Sequence, residues 1–250
     1  VSSRRIEELR IYSELQHEIE HRKIDNQRFE HVLNSDILTG LPNRAGALAG
    51  LTKLLDLNIK NQTKLGIFIF DVDQLGIVNG TRGYQAGDQL LIEVAQRLQA
   101  NVRDSDIVAR LGSGRFIVAA TGLKTERCVT LVYEKLAGAL ASPFYVSDSL
   151  LSITSSVGAA VFPDNISANE DLLSAAELAL HDAKSDGIGK LRFYHPSLKD
   201  TMQERIAFES ALKEALTSQE VFLCYQPQVS AINGNTVCLE ALIRWQHPAY

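Results

Sequence analysis

The chain has 250 residues, 45% of them apolar, and a formal net charge of −5, enough for one full α/β core with segments left over. The mildly acidic balance, without a long basic run, excludes a nucleic-acid groove, which needs clustered Lys and Arg against phosphates. Cys128, Cys224 and Cys238 are odd in number and widely spread, which excludes a disulfide framework or a paired zinc site and suits a reducing cytoplasm. No run reaches the roughly 18 apolar residues of a membrane span, and no signal-peptide pattern opens the chain. The expected location is cytoplasmic, with room for a longer parent anchored in the inner membrane.

From Ser3 to about Asn34 the sequence lacks Gly and Pro and carries Ile6, Leu9, Tyr12, Leu15 and Ile19 at helical steps. This predicts one long, mostly exposed helix. Its narrow apolar stripe fits a parallel coiled-coil pair, hence a homodimer; the alternative is a lone helix folded on its own domain. Within it, His17-Glu18-Ile19-Glu20-His21 matches the H-E-x-x-H pattern of zinc proteases. A zinc protease needs that helix buried beside a cleft with a third ligand, whereas this one is charged on most sides, so a solvated face is the better account.

After Asp36 the texture changes. Leu65 to Phe70 is a continuous apolar run ending in Asp71, the pattern of a buried central strand. A helix is expected over about Ala86 to Ala100, then Ile107 to Arg110 and Phe116 to Ala120 as a β-hairpin closed by Gly112-Ser113-Gly114. A helix over about Lys124 to Leu140, a strand from Ile153 to Val161, a helix from Asn169 to Ser185 and a closing strand from Leu191 to Tyr194 follow. The order βαββαβ with additions is an α/β (α+β) plan of the ferredoxin-like kind. Beyond Pro196 come a helix over about Leu198 to Leu216 and two strands, Val221 to Val229 and Thr236 to Trp245, flanking an Asn233-Gly234-Asn235 turn. The expected division is 1–35 signalling helix, 36–196 main domain, 197–219 linker helix and 220–250 the start of a second domain.

Asp36-Ile37-Leu38-Thr39-Gly40-Leu41-Pro42-Asn43-Arg44 resembles the D-x-L-T-G-L-x-N-R opening of GGDEF domains, the catalytic modules of diguanylate cyclases. Asp71-Val72-Asp73, Asn79, Gly83 and Gly87-Asp88 fit the family's next segment in register. The closing helix with Lys184 and the strand after it are similar too. The resemblance implies the nucleotidyl-cyclase fold and a GTP site. Asp71 and the Val72 carbonyl would hold Mg2+, which takes hard oxygen ligands; Asn79 and Asp88 would read guanine, and Lys184 would contact phosphate. Arg103 and Asp106 fit the R-x-x-D motif that binds cyclic di-GMP at an inhibitory site in many such proteins.

The signature loop departs from the family. Where R-x-G-G-D-E-F should stand, the chain reads Arg110-Leu111-Gly112-Ser113-Gly114-Arg115-Phe116. Both acids are gone: Gly114 replaces the first carboxylate and Arg115 puts a cation in place of the second. Gly76 stands where a phosphate-side lysine is usual, and Tyr84 where His is frequent. The expectation is a catalytically inactive domain with weak magnesium binding that retains GTP or cyclic di-GMP as ligand, Arg115 substituting for the missing cation.

Tyr225-Gln226-Pro227-Gln228-Val229 and Glu240-Ala241-Leu242-Ile243-Arg244-Trp245, followed by His247-Pro248, resemble the first two strands of an EAL-type phosphodiesterase. By that resemblance Glu240 is a metal ligand and Arg244 a phosphate contact, in a site left incomplete because a barrel needs roughly 200 residues or more. The expected role is a regulatory module between an upstream sensor and a downstream EAL domain. Residual cyclase activity and a purely structural dimerisation module are the alternatives.

Overall fold

The computed structural model describes residues 33–146, 149–167, 171–218 and 220–246. The long helix read over residues 3–34 falls almost wholly outside them, with its His17 and His21, as do His247 and Pro248. The chain divides into two units, Val1–Pro196 and Ser197–Tyr250.

In the first unit, β1 (Lys64–Val72) is the centre of a five-stranded sheet. Its neighbours are β3 (Arg115–Leu123) and β6 (Ser155–Phe162), both antiparallel to it. Beyond β3 lies β2 (Ile107–Gly112), and beyond β6 the short parallel strand β7 (Leu191–Phe193). The order β2-β3-β1-β6-β7 is the ferredoxin-like arrangement with one strand added at the edge. Because β1 is covered on both faces, eight of its nine residues are buried, which is why it reads as an unbroken apolar run.

Alternate residues of the sheet serve two helical layers. Phe68, Phe70, Phe116, Val118 and Val157 form one core with Leu90, Val94 and Leu98 of α3 (Tyr84–Ala100) and Leu136 of α4 (Glu126–Ala141). The opposite face is covered by α1 (Arg44–Asn61) and α5 (Leu172–Ser185). Each fully buried Phe or Leu contributes about 1.5–3 kcal/mol of transfer free energy, so this two-sided core dominates the stability. Gly158 lets α5 lie directly on β6: a Cβ there would come within 2.2 Å of both the Ala176 carbonyl oxygen and the Leu180 nitrogen.

Four elements are absent from the sequence reading. One is α1, N-capped by Asn43, whose side-chain oxygen accepts from the Ala45 and Gly46 amides at 2.9 and 3.1 Å. The others are the short α2 (Leu75–Arg82) and a small hairpin of β4 (Phe144–Val146) and β5 (Ser149–Leu151). The helix expected from Asn169 begins instead at Leu172, where Asp171 caps it by accepting from the Leu173 and Ser174 amides.

The second unit consists of α6 (Ser197–Ala215) and the hairpin of β8 (Val221–Val229) and β9 (Thr236–Trp245). Cross-strand pairs Leu223↔Ile243, Tyr225↔Ala241 and Pro227↔Leu239 place one apolar side of the ribbon in the open, whereas Gln226↔Glu240 and Phe222↔Arg244 lie on the other side. Trp245 meets Phe208 of α6 edge-to-face at 5.3 Å and donates its indole N–H to Glu220.

Candidate functional site

The site forms where β1 ends and the β2–β3 turn, α2 and the end of α5 converge. Strand pairing sets Asp71 opposite Arg115, and the contact of α5 with β6 brings up Lys184, 113 residues later in the chain. Lys184 Nζ lies 2.6 Å and Arg115 Nε 3.4 Å from the same Asp71 oxygen, Oδ2. The Asp71 side chain is 13% exposed, Arg115 50% and Lys184 43%, so two half-solvated cations close over one nearly buried carboxylate. The local balance is one positive charge in excess.

The loop beside it is shaped by Arg110. Its guanidinium donates to both Asp36 carboxylate oxygens at 2.9 and 3.0 Å and to the Ser113 carbonyl at 2.9 Å, while its backbone amide donates to the Pro42 carbonyl. The opening motif and the signature loop are thus one hydrogen-bonded unit. Burial pushes the Asp36 carboxyl up, but hydrogen bonds from Thr39 and Arg110 outweigh it and hold it below the usual carboxylate range. Ser113 adopts φ 49°, the left-handed region that favours glycine, and Gly112 beside it φ 112°.

Gly114, where the family motif has its first acid, is closely packed. A Cβ on Gly114 would sit 3.2 Å from Leu75 Cδ2, 3.3 Å from Val72 Cβ and 3.5 Å from the Val72 carbonyl oxygen, so a side chain there would emerge beside that carbonyl. The Val72 amide instead donates to the Gly114 carbonyl at 3.0 Å. What remains for a divalent ion is Asp71, already held by two cations, and one backbone oxygen. Among the described residues no three His, Cys, Asp or Glu side chains converge. Magnesium, which takes six oxygens, would have to displace two cations from Asp71 and draw its remaining ligands from water and phosphate.

Asp73, part of the same motif, has a different task. It is 5% exposed and accepts from Thr154 Oγ1 at 2.7 Å, Ser156 Oγ at 2.7 Å and the Gly189 amide at 3.0 Å. It therefore clamps the start of β6 to the loop that follows Lys184. Sequence reasoning included Asp73 only as a motif letter; its burial and hydroxyl partners carry no local signature.

At the corner between α2 and α3, Asn79 Oδ1 is enclosed and accepts no hydrogen bond among the described residues. It presses against Gly87, where a Cβ would lie 1.9 Å away. Asp88 follows on α3 and is exposed. Elsewhere, the Asp106 carboxylate accepts from the Arg103 amide at 2.9 Å and from the Thr121 amide at 3.0 Å. One oxygen closes the 103–106 turn and the other ties it to β3, while Arg103 is exposed. In the second unit, Glu240 and Arg244 are exposed, and Arg244 donates to the Ile243 carbonyl.

An antiparallel ferredoxin-like sheet with an acidic strand end, a hairpin loop over it and an amide at the adjoining helical corner defines a domain of the nucleotidyl-cyclase fold. The family described as "Diguanylate cyclase, GGDEF domain" matches residues 33–190, and the EAL domain family matches residues 209–250. The bifunctional diguanylate cyclase/cyclic di-GMP phosphodiesterase MucR of Pseudomonas aeruginosa is 34% identical over 215 residues, which is 86% of this chain and 31% of that protein. The cyclic di-GMP phosphodiesterase NbdA of the same organism is 33% identical over 214 residues, 85% of this chain and 27% of its own. Among solved structures, the GGDEF domain of TpbB (YfiN) from Pseudomonas aeruginosa has a TM-score of 0.64 at 29% identity, covering 68% of this chain and 99% of that one. The chain belongs to the GGDEF family and runs on into the opening of an EAL domain, the order found in cyclic di-GMP signalling proteins. It spans 31% or less of the length of these two curated relatives.

Proposed function

We propose that this GGDEF domain is a non-catalytic nucleotide sensor that passes an upstream signal to an EAL phosphodiesterase domain. The single observation that carries the reading is the Arg115–Asp71–Lys184 cluster. Where a cyclase needs carboxylates gathered around a divalent ion, this chain gathers two cations around Asp71. A guanidinium and an ammonium are good partners for phosphate oxygens. The local excess of positive charge favours a triphosphate without an accompanying ion. The exposed Asp88 carboxylate, with Asn79 at the adjoining corner, supports recognition of donor groups on a guanine edge. The parent is a cytoplasmic-facing protein that dimerises through residues 3–34, with its sensor upstream and its EAL domain downstream.

Calorimetry of the purified chain with GTP, with and without magnesium, tests the reading. Binding of similar strength under both conditions, and no cyclic di-GMP after prolonged incubation, is the expected result. Steady product formation would establish the rival, a cyclase with residual activity; no heat at millimolar GTP would leave a structural module.

A further inference from the structure

A cleft of about 370 Å³ opens where the first turn of α4 meets the edge of the sheet. Val129 and Val161, 3% and 4% exposed, line its base, and Phe193 of the edge strand β7, 41% exposed, lines its side. Its polar lining includes Glu126, Asp164 and Asn165. The cleft lies at the far end of the sheet from the charged cluster: on β6, Ser156 pairs with Asp71, whereas Val161 pairs with Gly66. Five residues of strand, about 17 Å, separate the two.

The polar groups around the cleft are unequally occupied. Asn165 is tied down, its side-chain oxygen accepting from the Val161 amide at 2.8 Å and its own amide donating to the Val161 carbonyl at 3.0 Å. Asp164 is paired with Lys64. Glu126 differs: it is exposed, and its carboxylate has no hydrogen-bond or ion-pair partner among the described residues. An apolar base, an aromatic side and an unpaired carboxylate therefore meet in one cleft.

We propose that this cleft is a further ligand site, independent of the nucleotide-sensing reading, and that it takes a small organic cation, a protonated amine on an apolar body. Its volume falls within the roughly 300–1,000 Å³ of small-molecule pockets. The apolar body covers Val129 and Val161, which removes apolar surface from water. The ammonium group is drawn to the Phe193 ring and to Glu126, both of which attract positive charge. An anion of the same shape would meet two carboxylates with Lys64 alone to offset them, so the site selects against phosphates and carboxylates.

The test is amide NMR of the isotope-labelled whole chain titrated with phenylpropylamine, phenylpropanol and phenylpropionate, which share a body and differ in charge. The amine is expected to shift the amides of residues 126–130, 161–165 and 191–193 saturably, with a dissociation constant in the millimolar range or tighter. The alcohol should bind about threefold more weakly, the value of one exposed charge contact, and the carboxylate should leave these amides unmoved. Glu126→Gln is expected to lower amine affinity to that of the alcohol while sparing the alcohol's own. Phe193→Ala should weaken both. Neither side chain is buried, and unchanged amide shifts elsewhere confirm that the variants fold. Equal affinity for amine and alcohol, an amine that leaves these amides unshifted, or full amine affinity in Glu126→Gln overturns the proposal. None of these results bears on GTP binding, which is read at the other end of the sheet.

Discussion

Restoring both acids to the signature loop, as Gly114→Asp with Arg115→Glu, should convert the cation-filled site into one that requires metal. At the observed 3.4 Å between Arg115 Nε and Asp71 Oδ2, a unit charge pair is worth about 5 kcal/mol at an effective dielectric of 20 and about 1 kcal/mol in bulk water. Arg115 is half exposed, so the lower figure applies and the pair contributes on the order of 1 kcal/mol. Replacing that attraction with a repulsion of similar size costs the apo domain about 2 kcal/mol, before any strain from the carboxylate side chain introduced at Gly114 is counted. That strain is small, since contacts of 3.2–3.5 Å to Leu75 and Val72 need a shift of a few tenths of an ångström. A divalent ion then binds the folded state selectively, and at a hundredfold excess over its dissociation constant it adds about 2.7 kcal/mol. Thermal unfolding with increasing manganese reads this directly. The double variant should melt several degrees below the parent without metal and recover as metal is added, while the parent shows no metal-dependent shift. A manganese-dependent rise in the parent comparable to that of the variant would refute the claim that Arg115 replaces the ion.

Other changes probe the scaffold around the site. Asp73→Ala removes the acceptor of the buried Ser156 hydroxyl, of the Thr154 hydroxyl and of the Gly189 amide and should cost about 2 kcal/mol, read by urea unfolding, with faster amide exchange across residues 186–190. Ser113→Gly relieves the left-handed strain in the turn and should stabilise the domain by about 1 kcal/mol, seen as a small rise in Tm. Asp36→Asn should destabilise at neutral pH. Because the folded Asp36 carboxyl lies below its ordinary value of 3.8, the parent's advantage is complete above that value and shrinks as pH falls through the folded one. A gap between the two proteins that stays constant down to pH 2 would exclude the Asp36–Arg110 pair as its source.

The sheet was legible because burial leaves direct marks: the run Leu65 to Phe70, the glycine-rich turn of the β2–β3 hairpin and the strands of the second unit all appear where the residues place them. The helix α1 was not, because Leu48, Leu57 and Ile59 are exposed while Ala47, Leu51 and Asn58 are buried, which blurs the helical period. Eight residues with Gly76 and Gly80 and no side-chain cap gave α2 no signal, and three-residue strands such as β4 and β5 have no period to detect. That Gly114 and Arg115 stand where the family motif carries acids is plain from the sequence. That Arg115 and Lys184 would converge on a single Asp71 oxygen is not, since only the packing of α5 against the sheet joins positions so far apart in the chain.

That packing has a leverage of its own. A methyl group at position 158 would have to push α5 away at Ala176 and Leu180, where only main-chain atoms are in the way and none can swing aside. Lys184 rides one helical turn beyond Leu180, so tilting the helix lifts the ammonium off Asp71 and leaves Arg115 to neutralise it unaided. Gly158 never touches the charged cluster, yet through the helix it governs how many cations that carboxylate keeps.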